Sequence, residues 1–162
     1  MHIAKNSVNQ WLAERVPGAA LDASGVATIR RDDDSVIVIE VPPDSAICHL
    51  CALVAPLPDI TREATLMVAL ELNRFGRPLG GCWLAWEDNV QMLTLCHNVL
   101  VSTTDAIGFS NTLDNFFNAL DVAREQLWLG DTEANFHADL DEHADLSGPA
   151  PSDPASYPAL RV

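Results

Sequence analysis

The stretch from Ile60 to Phe75 constrains the fold most, because it reads as a helix with apolar residues on two sides. Alanine, leucine, methionine, glutamate and arginine dominate it, and all favour helix. Ile60, Ala64, Val68, Leu72 and Phe75 make one apolar face at helical spacing. Leu66, Ala69 and Leu70 make another. A helix that is apolar nearly all round is covered on both sides. A chain of 162 residues is normally one domain with one core. One side of this helix can therefore pack on a sheet, and the other on a second copy of the protein.

The flanking segments predict that sheet. Met1 to Val16 reads as an amphipathic helix, with Ala4, Val8, Trp11, Leu12 and Val16 on one face, ended by Pro17 and Gly18. Three short strands follow, at Val26–Arg30, Ser35–Val41 and Ala46–Val54. The charged turn Arg31-Asp32-Asp33-Asp34 separates the first two, Pro42-Pro43-Asp44 breaks the second, and Pro56 and Pro58 close the third. Beyond the middle helix, Gly76, Pro78, Gly80 and Gly81 make a loop. Strands Cys82–Glu87 and Val90–Val101 come next, joined at Asp88-Asn89, a pair suited to a tight two-residue hairpin turn. Ser102 to Asp105 supplies capping residues. A last helix from about Ile107 to Leu129 lines up Phe109, Leu113, Phe116, Phe117, Leu120, Ala123 and Leu127.

The order α-β-β-β-α-β-β-α points to an α+β sandwich, a twisted antiparallel sheet packed by helices. Residues 1–130 form the predicted domain. Residues 131–162 form an acidic, Pro-rich C-terminal tail, predicted disordered from Gly148 on. Phe136, Leu140 and Ala144 could add one further amphipathic turn.

Charge and motifs narrow the function. The net charge of −14 repels phosphate backbones, which argues against nucleic acid. A basic partner or plain solubility suits it better. No apolar run reaches the roughly 18 residues of a membrane helix. Met1 to Gln10 has neither a basic region nor an apolar stretch, so a secretory signal is not expected and the chain reads as cytoplasmic.

Cys48, Cys51 and Cys96-His97 raise the possibility of zinc. Cys48 and Cys51 lie three apart on a strand and so diverge, and no second Cys-x-x-Cys pair exists. Inert thiols are the better reading, and no metal or cofactor is expected. His49 and His97 fall mid-strand, while His2, His137 and His143 lie towards the ends of the chain. Neither a nucleophile-elbow pattern nor a phosphate-cradling glycine loop is present. Asp32-Asp33-Asp34 reads as a solvated turn in preference to a cation site. Trp83 and Trp86, three apart on one strand, project to opposite faces, so one can enter the core and the other can anchor an interface.

The chain resembles the class I type III secretion chaperones of the CesT/SycE-like (Tir chaperone) family. Leu70-Glu71-Leu72-Asn73-Arg74-Phe75, followed by Gly80-Gly81-Cys82-Trp83-Leu84-Ala85-Trp86, looks like that family's "L-x-x-N" helix end and its turn into a hydrophobic strand. Phe116 to Leu120 with Leu127-Trp128 is similar to its last helix. The likeness spans about Asn6 to Leu129, and the long acidic tail departs from it. It implies a homodimer without catalysis. It also implies an effector protein's N-terminal segment held extended and competent for secretion.

A free sheet edge can accept such a segment. The candidate client-binding residues are Val8, Trp11 and Leu12 on the first helix, with Ile29, Ile37 and Ile39 on the sheet. The alternative is that all six are core. Leu66, Leu70, Trp83 and Trp86 are the candidate dimer seam. The tail has three open roles: contact with a secretion ATPase, masking of the client groove, or solubility. A protein-binding or regulatory module unrelated to secretion is the alternative function.

Overall fold

The computed structural model describes residues 3–74 and 78–144, with residues 129–144 described by backbone alone. Helix α1 spans Ile3–Arg15, strands β1, β2 and β3 span Val26–Arg30, Val36–Glu40 and Ile47–Pro56, and helix α2 spans Arg62–Asn73. Strands β4 and β5 follow at Trp83–Glu87 and Met92–Leu100. Helix α3 covers Ala106–Ala144. The sheet runs β1-β2-β3-β5-β4, and every neighbouring pair is antiparallel. The α-β-β-β-α-β-β-α order and the antiparallel sheet read from the sequence are those of the structure.

Alternation along the strands sorts the side chains cleanly. Ala27, Ile29, Ile37, Ile39, Cys48, Leu50, Ala52, Leu84, Leu93 and Leu95 share one face and are all buried. The helices cover that face. From α1 come Val8, Trp11 and Leu12; from α3 come Phe109, Leu113, Phe116, Leu120, Ala123 and Leu127. Trp11 and Phe109 meet with ring centroids 5.4 Å apart, which joins the first helix to the last.

Several details depart from the sequence expectation. The β4–β5 connection is four residues, Asp88 to Gln91, because Glu87 pairs with Met92. Gln91 takes the left-handed conformation (φ 55°) that closes this longer turn, and its side-chain amide donates to Asp88 O at 2.9 Å. Strand β3 continues through Pro56 by way of an irregularity between Leu53 and Ala55. There Arg124 of α3 donates to Leu53 O at 2.9 Å. Helix α3 extends past the expected end at Leu129 to Ala144, through a segment whose glutamate, leucine and alanine residues favour helix. Phe75 and the predicted disordered tail from Gly148 lie outside the described residues.

The Asp32–Asp34 turn is held by local bonds and ion pairs. Asp34 sits at φ 64°, and Asp33 accepts from the Ser35 amide at 3.0 Å. Arg31 reaches across to Asp121 of α3 at 2.8 Å. These contacts fasten the β1–β2 hairpin to the long helix.

Asn73 does the corresponding work at the other edge. Its side-chain amide donates to Leu84 O at 3.0 Å and accepts from Leu84 N at 2.7 Å. A side chain thus substitutes for a missing neighbour strand on the outer edge of β4. Replacing Asn73 with alanine strands both partly buried Leu84 groups. The expected loss of stability is about 1–3 kcal/mol, read as a lower denaturant midpoint at unchanged slope.

Candidate protein-binding surfaces

The helices cover one face of the sheet, and no described element packs on the other. Across its middle run Thr28, Val38, Cys51, Cys96 and Trp83, residues placed side by side by the strand registers. Leu53, Thr94 and Ala85 align beside them, with Val36 on the same face. Val36, Leu53, Leu100 and Trp83 are 37–47% exposed, large apolar side chains facing out of a sheet. Val38, Ile47 and Met92 are half-buried beside them. A polar strip interrupts this surface, where the His49 ring and Asn98 Oδ1 meet at 2.6 Å. The Thr94 hydroxyl is buried in the middle of the face with no hydrogen-bond partner among the described residues.

One sheet edge is open. Val26 has both its outward backbone groups taken by Asp22: its amide donates to Asp22 Oδ1 at 3.0 Å, and its carbonyl accepts from Asp22 N at 2.8 Å. By strand alternation, Thr28 and Arg30 aim their N–H and C=O the same way, off the edge of β1. Those groups have the pattern an added strand would pair with.

A second exposed apolar strip lies on α2. Thr61, Thr65, Ala69 and Leu72 are the buried seam of this helix. Met67 and Leu70 point the other way and are 63% and 65% exposed, and Ile60, just before the helix, is also exposed. The helix has one side open in this single chain, but the two sides are not the sets the spacing grouped: Ala69 is buried with Leu72, Leu66 packs partly on the core, and Ile60 is exposed with Met67 and Leu70.

Each predicted site residue has a definite place. Val8, Trp11, Leu12, Ile29, Ile37 and Ile39 are all 8% exposed or less and line the core. They offer no side-chain surface to a partner here, which corresponds to the core reading of the two weighed for them. The outward set on the same strands is Val36 and Val38. Of the seam residues, Leu70 is exposed, Leu66 packs partly on the core, and Trp86 is half-buried with the Arg62 guanidinium 5.9 Å from its ring centre. Trp83 stands apart from these three, on the opposite, open face of β4. Met67, Val36 and Leu53 are not among the sequence candidates, and Ile60 stands there on the face of Leu72, which is buried, whereas Ile60 itself is exposed. The alternation Val36-Ile37-Val38-Ile39 carried the signal for the open face but not which side it was.

The four cysteines divide into two kinds. Cys48 and Cys82 are buried, and burial pushes their thiols up to about 12 and about 11. Cys51 and Cys96 are half-buried on the open face, directly opposite one another on β3 and β5, with sulfurs 4.0 Å apart. Hydrogen bonding from the Cys96 thiol lowers the pKa of Cys51, and the same contact raises that of Cys96. Cys48 and Cys51 do point to opposite faces. Among the described residues no group of three or more histidine, cysteine and acidic side chains could hold a metal ion. No described helix is long and apolar enough to cross a membrane.

Comparison with known proteins gives the fold a family. The model of the Tir chaperone protein (CesT) family matches residues 13–124, more than half of the chain. Among solved structures, a chain of the ExsC-ExsE complex is 20% identical with a TM-score of 0.65, covering 76% of this chain and 95% of its own. A chain of the HopA1-SchA chaperone-effector complex is 13% identical with a TM-score of 0.61, over 76% and 94%. A chain of the heterodimeric ExoU-SpcU complex, from the type III secretion system of Pseudomonas aeruginosa, is 17% identical with a TM-score of 0.57, over 74% and 93%. At these identities the likeness speaks to the fold. No curated protein sequence matches.

The thiol chemistry predicts a labelling order. With limiting iodoacetamide near neutral pH, Cys51 should alkylate first. Cys48 and Cys82 should react roughly tenfold more slowly or less until the chain is unfolded, as read by peptide mass mapping.

Proposed function

We infer the role of this chain from its family: it belongs to the Tir chaperone protein (CesT) family. It is a type III secretion chaperone that binds effector protein. It works by binding and has no catalytic step to perform, and its place is the bacterial cytoplasm, where an effector waits for export.

The observation that carries the mechanism is the open sheet face beside an open edge. An extended client segment can pair with the outward backbone groups of Thr28 and Arg30. Its alternate side chains can then settle on Val36, Val38 and Leu53. Fully burying one such side chain contributes about 1.5–3 kcal/mol. A few of them suffice to hold a client without folding it. The negative charge of the chain favours a client segment with basic residues.

The second apolar strip supports a homodimer. Met67 and Leu70 of α2, with Ile60 and the half-buried Leu66 and Trp86, would lie in the seam. Trp83, on the open face of the same edge strand, would sit beside that seam, within reach of a client.

Two variants separate these roles. Val38→Asp with Leu53→Asp should leave the circular dichroism unchanged and weaken binding of a co-purified effector at least about tenfold, about 1.4 kcal/mol. Leu70→Glu should convert the dimer into a monomer by light scattering. A wild-type chain that is monomeric, and that retains no secreted protein on purification from its native bacterium, would refute the reading.

A further inference from the structure

Cys51 and Cys96 occupy neighbouring, directly paired positions on the two most extensively bonded strands of the sheet. Such pairs have Cα atoms about 4.5 or 5.5 Å apart, and both values lie within the range a disulfide spans. The sulfurs are 4.0 Å apart, so each must move only about 1 Å to reach bonding distance, a matter of side-chain rotation. Both thiols are half-buried on the face that no described element covers, so a small oxidant has access. Cys48 and Cys82 lack that access.

We propose that Cys51 and Cys96 are a peroxide-reactive thiol pair that closes a reversible disulfide between β3 and β5 across the open face. The lowered Cys51 pKa makes it the attacking sulfur, and Cys96 resolves the product. In the first step the Cys51 thiolate attacks a hydroperoxide. An S–O bond forms, the O–O bond breaks, and the departing oxygen leaves as water or an alcohol after taking a proton. In the second step the Cys96 sulfur attacks Cys51. The S–S bond forms, the S–O bond breaks, and hydroxide leaves as water with the Cys96 proton. The two sulfurs together lose two electrons, and the peroxide gains them.

The bridge would enclose the chain from Cys51 to Cys96, which contains α2 and β4. Oxidation therefore closes a covalent loop at β3 and β5 around the elements that carry the exposed apolar strip and one edge of the sheet. The bridge rests on the strand register and needs no client, whereas a client lying on that face would shield both thiols from the oxidant.

The test uses the full, reduced chain. It is treated with hydrogen peroxide, cleared of peroxide, alkylated with iodoacetamide in denaturant so that every remaining thiol reacts, and weighed intact. The expected product is about 2 Da lighter before alkylation and takes up alkyl groups at Cys48 and Cys82 alone. Digestion should yield a peptide linking Cys51 to Cys96, and dithiothreitol should restore both thiols. Cys96→Ser should instead accumulate a Cys51 sulfenic acid that a 1,3-dione traps. Retention of all thiols at a peroxide dose that oxidises free cysteine would overturn the proposal. So would oxidation of Cys51 in the unmodified chain to sulfinic acid without a bridge, or a bridge joining any other pair or two chains.

Discussion

A sheet has two faces, and the helices of this chain cover one of them. That single imbalance governs the rest of the structure. The core forms where Ile37, Ile39, Leu50 and Leu95 meet Leu12, Phe109, Phe116 and Leu120. The opposite face keeps Val36, Leu53, Leu100 and Trp83 in contact with solvent. Monomeric soluble proteins seldom leave a face with so many large apolar side chains uncovered unless it meets a partner. The side of α2 that turns away from the sheet presents a second instance of the same condition. A protein that works by holding another chain needs surfaces of this kind, and the family of this chain is one of chaperones.

The two sheet edges are finished differently, and the difference has consequences. On β4, Asn73 satisfies the outward groups of Leu84, so the edge is closed at that point by a side chain. On β1, Asp22 closes the edge at Val26, and among the described residues the outward groups of Thr28 and Arg30 have no backbone partner and can pair with an incoming strand. Arg30 pairs with Asp34, which places charge at the end of that edge and discourages unselective strand addition. An edge that is open but short and charged suits a client of matched sequence better than a second copy of the same strand.

Much of this was legible in the sequence, for specific reasons. The apolar spacing of Val8, Trp11 and Leu12 and of Phe109 through Leu127 is a direct signature of helices lying on a core. The β-branched run at Val36–Ile39 is an equally direct signature of a strand. Periodicity gives which residues share a face but not which face the helices will cover. For that reason Ile37 and Ile39 could stand as client-binding candidates until the packing placed them inside. The turn at Asp88 came out longer than two residues because pairing at Glu87–Met92 left Val90 and Gln91 in the loop, a matter of register. Register also brings Cys51 opposite Cys96, and nothing in the local sequence of either thiol announces the other. Asn73 was visible as part of a motif, whereas its bonds to Leu84 needed the tertiary structure.

The central claim is that the uncovered face and the β1 edge are where a client lies. Hydrogen exchange of the intact chaperone–client complex, compared with the free protein, tests it most directly. The account predicts strong slowing at the Thr28 and Arg30 amides, which point off the edge of β1. If those amides exchange at the free-protein rate while the complex remains intact, the client lies elsewhere and the account is wrong.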